Sequence, residues 1–199
     1  MAVAGTVTTI RGSQIEDGAV TNDKLGGDIS ITNAQLAGSI LSSKLSTPGE
    51  VLQVVNTIKS DTLASAGAAA WNDTGLSVAI TPVSTSSKIL VLVNVSGAHN
   101  SSNTWFKVLR GSTDIGLGDA GSSRLQCTFG NVYTFGDSNI MKTHSFSLLD
   151  SPSSTSAQTY KVQARSNGGT YYINRSVNDT DSVDHGRASS SLTLMEIAS

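Results

Sequence analysis

Lys88-Ile89-Leu90-Val91-Leu92-Val93-Asn94-Val95 places six aliphatic side chains in eight positions. Successive side chains on a strand point to opposite faces, so Ile89, Val91, Val93 and Val95 share one face and Leu90 and Leu92 share the other. The density of Val and Ile favours a strand over a buried helix. Both faces are apolar, so both are expected to be covered. In a two-sheet sandwich one face meets the core. The other needs a second cover, and a neighbouring subunit supplies one.

Similar runs extend in both directions. Val51–Ile58, Leu76–Ile80, Trp105–Arg110, Asn131–Phe135, Ser145–Leu149, Thr159–Arg165, Thr170–Asn174 and Ser191–Ile197 read as strands. Asn/Ser/Gly clusters at 97–103, 111–113, 119–123, 151–156 and 166–169 separate them. The fold class expected is all-β, with nine or ten short strands in a jelly-roll-like β-sandwich over residues 47–199. No stretch reads as a long helix.

Residues 1–46 differ. All ten aromatics lie at or after Trp71, and Pro48-Gly49 punctuates the boundary. Without bulky groups a segment has little area with which to close a core of its own. A weak repeat runs through it: Val20-Thr21-Asn22-Asp23-Lys24-Leu25, Ile31-Thr32-Asn33-Ala34-Gln35-Leu36 and Ile40-Leu41-Ser42-Ser43-Lys44-Leu45. Thr21, Thr32 and Ser42 each suit the cap of one helical turn. Such a turn buries too little aliphatic surface to offset the entropy of ordering about ten residues. The segment is therefore expected to order only against identical copies, as an extended, short-helical trimeric stem. Its interface would be Ile15, Val20, Leu25, Ile31, Leu36, Ile40 and Leu45. A disordered tail is the alternative.

Composition narrows the function. Ser, Thr, Asn and Gly make up 84 of the 199 residues, charged residues 14%, and net charge is −2. No Lys/Arg run suggests nucleic-acid binding, and no apolar run reaches the length needed to insert into a membrane. Residues 1–12 lack the pattern of a secretion signal. Cys127 is the sole cysteine, which leaves no internal disulfide and no cysteine zinc site.

No catalytic constellation emerges. His99, His144 and His185 show no metal-ligand spacing, and His99 reads as a solvated loop residue. A three-fold axis gathering copies of one histidine is the remaining metal arrangement. The acidic stretch Asn178–Asp184 has the opening of a calcium loop but neither its sixth-position Gly nor its twelfth-position Glu. It reads as a polar turn. Asp114, Asp119 and Asp137 fall where turns favour Asp, and Gly116-Leu117-Gly118 lacks the third glycine of a dinucleotide loop. Cys127 lies among apolar residues, as a buried thiol does. Five Asn-x-Ser/Thr sequons, at Asn72, Asn94, Asn100, Asn174 and Asn178, are expected by chance at this Ser/Thr content. No cofactor, metal or enzymatic activity is expected. Trp71, Trp105, Tyr171 and Tyr172 stand near polar loops, and Trp105, Tyr171 and Tyr172 are the candidate host-contact residues. Core packing is the plainer reading of all four. Tyr171 and Tyr172, adjacent in one strand, should face opposite ways.

Three segments resemble bacteriophage tail-fibre and related virion structural proteins. They are Ile15–Leu25; Gly49–Val55 with Thr74–Pro82 and Ser86–Val91; and Tyr172–Ser176 with the closing Ser191–Ile197. The resemblance spans most of the chain. It implies a homotrimer with an intertwined stem and a β-sandwich head, located on the virion at the tail or capsid surface. It further implies attachment to another tail or capsid protein through the stem, and a head that contacts a host surface glycan or protein. A capsid- or collar-attached decoration fibre is the nearest alternative. A glycan-depolymerising tailspike is the enzymatic one. On this reading, a Leu25→Asp/Leu36→Asp double change lowers the assembled mass in light scattering while leaving an isolated 47–199 head folded, as judged by circular dichroism.

Overall fold

The computed structural model describes residues 48–66, 69–101, 103–130 and 138–199. The seven stem positions Ile15, Val20, Leu25, Ile31, Leu36, Ile40 and Leu45, and the strand expected at 131–135, lie outside the described residues. The described residues belong to one compact unit that begins at Ser46 and are all-β, without a helix.

Eleven strands form it: β1 (Val51–Lys59), β2 (Leu63–Ala66), β3 (Asn72–Ile80), β4 (Lys88–His99), β5 (Thr104–Arg110), β6 (Thr113–Ile115), β7 (Phe129–Gly130), β8 (Lys142–Asp150), β9 (Gln158–Ser166), β10 (Thr170–Ile173) and β11 (Ser190–Ile197). Sheet A contains β1, β11, β4, β10 and β2 in that order, with β8 on the other edge of β4. Sheet B runs β3-β9-β5-β6, with β7 also on β5. All pairings are antiparallel.

Strand β4 behaves as its alternation dictates. Ile89, Val91, Val93 and Val95 point inward and are at most 3% exposed. With Tyr171, Ile173, Leu192 and Leu194 they face Leu76, Ile80, Phe106, Val108, Tyr160, Val162 and Ala164 of sheet B. Burying each such aliphatic side chain contributes about 1.5–3 kcal/mol. Strand β4 is longer than its aliphatic run. It continues through Gly97–His99, expected as loop, because β10 pairs with that end while β11 pairs with Lys88–Asn94.

The junction between β10 and β11 explains this division. Together they form one interrupted strand, with residues 174–189 looping out between them, and β1 and β2 form a second interrupted strand opposite. Asn174 sits at the break with φ +61, fully buried. Its Nδ2 donates to Lys59 O (2.8 Å) and Asp61 O (2.9 Å), satisfying the backbone where β1 ends. Its Oδ1 accepts from Ser190 Oγ, whose oxygen in turn accepts from Ser96 N. The Asn174 N–H donates to Ser96 O. Asn, with Asp, enters the left-handed region more readily than other residues that carry a Cβ. Gly97 lies alongside, where a Cβ would come within 2.4 Å of Tyr172 O.

Buried polar pairs bridge the two sheets at both ends. At one, Asp150 of β8 accepts from Arg110 Nη1 (2.6 Å) and Tyr160 OH (2.7 Å) of sheet B. At the other, His99 meets Ser166. At the Asp150 end of sheet A, Glu196 accepts Val83 N–H (2.8 Å) and Gln53 Nε2, tying the β3–β4 connection to the sheet.

Asn174→Ala should lower stability by about 3 kcal/mol in urea unfolding, because it removes two side-chain bonds to buried carbonyls and leaves a left-handed alanine. Asn174→Gly should recover about 1 kcal/mol of that loss, the backbone share.

Candidate functional site

The outer faces of the two sheets differ in chemistry. On sheet B, register places Trp105 opposite Arg165 and Lys107 opposite Gln163, which pairs in turn with Asp73. Lys107 Nζ lies 4.9 Å from the centroid of the Trp71 ring and 2.8 Å from Asp114. Asp73 takes Lys161 (3.0 Å) and Gln163 Nε2 (2.7 Å). Its carboxyl is held below the usual range by the Gln163 and Lys161 hydrogen bonds, which overcome partial desolvation. Lys107 and Lys161 thus each have an acidic partner. Arg165 has none among the described residues, and its Nε is buried without a hydrogen-bond partner. The face offers an aromatic ring beside an uncommitted guanidinium, a pairing suited to the apolar face and carboxylate of an acidic ligand.

The aromatic candidates do not form one platform. Trp105 is half-buried on the outside of sheet B, and Tyr172 is half-buried on the outside of sheet A with Arg175 stacked 4.2 Å from its centroid. Tyr171 is 1% exposed in the core, which removes it from the contact candidates. Alternation along β10 turns it inward as Tyr172 turns out, so the pair face opposite ways as expected.

Sheet A presents cross-strand rows on its outside. One row is Val54–Met195–Leu90–Leu149; the next is Asn56–Thr193–Leu92–Ser147; the third is Ile58–Ser191–Asn94–Ser145. None of these twelve residues is charged. Small side chains in the second and third rows leave a shallow depression of about 390 Å³.

The polar groups that could do chemistry are dispersed. His99 is fully buried, not solvated as its loop-like surroundings suggested. Strand parity could have revealed it, since His99 follows Val93 and Val95 on the inward side. Its Nδ1 accepts Ser101 N–H (3.0 Å), so Nε2 carries the proton and donates to Ser166 Oγ (2.8 Å). Ser166 donates onward to Gly168 O. In this tautomer Nε2 has no lone pair for the serine proton, so the pair is a structural bridge. Ser166 lies far from His99 in sequence, and no motif announced their meeting. His144 lies in β8 with its ring 6.5 Å from Phe106, while His185 is in the 178–187 loop bonded to Thr180. In that loop Asp179 is committed to Arg187 (2.9 Å) and Arg175 (3.3 Å). Among the described residues no group of three or more His, Cys, Asp or Glu is placed to hold a metal ion. Cys127 is half-buried, and burial pushes its thiol up. Asp119 is exposed, and Asp137 lies outside the described residues.

Comparison with protein-family models and with curated proteins finds no match.

Two buried groups set a pH dependence. Burial pushes His99 below the ordinary 6.5, despite a hydrogen bond from the ring to the Gly168 carbonyl that raises it. Burial raises the Glu196 carboxyl, but the hydrogen bonds from Gln53 and the Val83 backbone outweigh it, leaving it lowered. Both folded values are depressed. Their stabilisation is therefore present above the unfolded values and is lost as pH falls, first through the histidine range and then through the carboxylate range. Burial, with Lys142 nearby, also pushes His144 down. The urea midpoint should therefore decline from pH 7.5 towards pH 5. His99→Gln should reduce that decline, and His99→Gln/His144→Gln should flatten it.

Proposed function

We propose that the chain is a non-enzymatic virion fibre subunit, a homotrimer attached to a tail or capsid protein by residues 1–46 and displaying the β head to the host surface. The supporting observation is a strand order of jelly-roll type behind an N-terminal segment with no aromatic residue. Counting β1/β2, β6/β7 and β10/β11 as three interrupted strands reduces eleven strands to eight. Sheet A then runs first-eighth-third-sixth, and sheet B second-seventh-fourth-fifth. This order supports reading the head as an eight-stranded jelly roll. The resemblance of the stem repeat and of Tyr172–Ser176 to phage fibre proteins points the same way.

Host contact is assigned to the outside of sheet B at Trp105, with Arg165 beside it, and to Tyr172 at the outside of sheet A. A glycan or protein carrying carboxylates fits the guanidinium of Arg165.

Immunogold electron microscopy of intact particles should place the protein at the tail. Label on the capsid shell or collar would favour the decoration fibre instead. Incubation with host envelope polysaccharide should release no oligosaccharide; release would establish the tailspike alternative. In cell binding, Arg165→Gln and Trp105→Ala should each weaken attachment of labelled protein about tenfold, the effect of losing about 1.4 kcal/mol. Tyr171→Phe should leave attachment unchanged.

A further inference from the structure

We propose that the outer face of sheet A is covered by the same face of the other two copies in the homotrimer, around its threefold axis, so that the heads associate directly and not only through their stems. This rests on the homotrimer reading and names the surface that serves it. Four of the seven exposed large hydrophobic residues among the described residues fall on this one face: Val51 (49%), Val54 (53%), Ile58 (65%) and Leu149 (58%). Val54 and Leu149 flank Met195 and Leu90, making an apolar ridge four strands wide. Beside the ridge lies the depression floored by Leu92, Ser147 and Thr193.

Three arguments select copies of the same chain as the occupants. The three rows hold no charge, and Lys88, in the bordering row with Val51 and Ile197, is the one charge beside them, whereas the outside of sheet B carries Asp73, Lys107, Asp114, Lys161 and Arg165. A neutral face is complementary to itself, and a charged partner would lose solvation there without compensation. The shape suits a closed ring, since the ridge of each copy can enter the depression of the next. The third argument is area. Four strands of about eight residues present roughly 500 Å² per copy, or roughly 1,500 Å² over three copies and roughly 500 Å² for each contact around the axis. That is less than a specific pair buries, so heads alone should associate weakly. The ridge lies at the end of sheet A where the described chain begins, at Pro48 beside Val51. Forty-seven residues precede that point, and their association would raise the effective concentration of this face.

The test uses the full chain in a Cys127→Ser background, with Ser147→Cys placing a thiol in the depression and Ser112→Cys serving as an exposed control. Mass is read by light scattering and thiol access by maleimide labelling. The expected result is an oligomer in which Ser147→Cys labels at least about tenfold more slowly than Ser112→Cys, the ratio that corresponds to about 1.4 kcal/mol of protection. Adding Val54→Lys/Leu149→Lys should restore fast labelling, whereas Val83→Lys, exposed on the β3–β4 connection, should not. Equal labelling of the two thiols overturns the proposal. So does slow labelling in a monomer, which would mean that the chain's own first residues lie on the face. So does slow labelling that persists with Val54→Lys/Leu149→Lys. The stem reading fails separately, if Leu25→Asp/Leu36→Asp leaves the mass of the otherwise unaltered chain unchanged on dilution.

Discussion

Strand β4 has neighbours on both edges and apolar side chains on both faces, and the rest of the head is arranged around that constraint. On one edge it pairs with β8; on the other it pairs with β11 and then β10. Its inward face closes the core against sheet B. Its outward face retains Leu90 and Leu92, half-buried, within three uncharged cross-strand rows that Lys88 borders. A strand so placed cannot sit at the margin of a fold. Every other strand of sheet A is positioned by direct pairing with it or by pairing with one of its partners.

Sharing one edge of β4 between two strands requires a break, and Asn174 makes the break tolerable. Its side chain replaces the ladder bonds lost where β1 gives way to β2, and its backbone takes the left-handed conformation that lets residues 174–189 leave the sheet. The excursion returns at β11 through Ser190, which bonds to Asn174 itself. Polar bridges at the two ends of the core, Asp150 with Arg110 and Tyr160, and His99 with Ser166, join the sheets where aliphatic packing gives out. Buried polar groups of this kind are fully partnered or destabilising, so they hold the sheets in one register.

The same division of labour separates the outer faces. Sheet B spends its charges on mutual pairs and leaves Arg165 beside Trp105; sheet A keeps no charge across three rows. On the proposed reading, a head displayed at a host surface would need one face to meet the host and another to meet its own kind, and these two chemistries would suit those two roles.

Much of this architecture was written in alternation. Lys88–Val95, Val51–Ile58, Thr159–Arg165 and Ser191–Ile197 appear as strands, and the inward set Ile89, Val91, Val93 and Val95 follows from period alone, since a strand's pleat allows no other assignment. The opposed orientations of Tyr171 and Tyr172 follow for the same reason. Three short strands escaped: β2, β6 and β7 have two to four residues each, too few for alternation to register, and they exist because a longer neighbour offers an edge. Asn174 looked like one sequon among five, and His99 like a loop residue, because their roles depend on Lys59, Asp61, Ser166 and Ser190, which are distant in the chain. Local pattern determined which segments are strands and which side chains turn inward. Only the tertiary structure decided which strands share an edge, which polar groups meet across the core and which face is left apolar, because those outcomes depend on contacts between residues that the chain brings together only by folding.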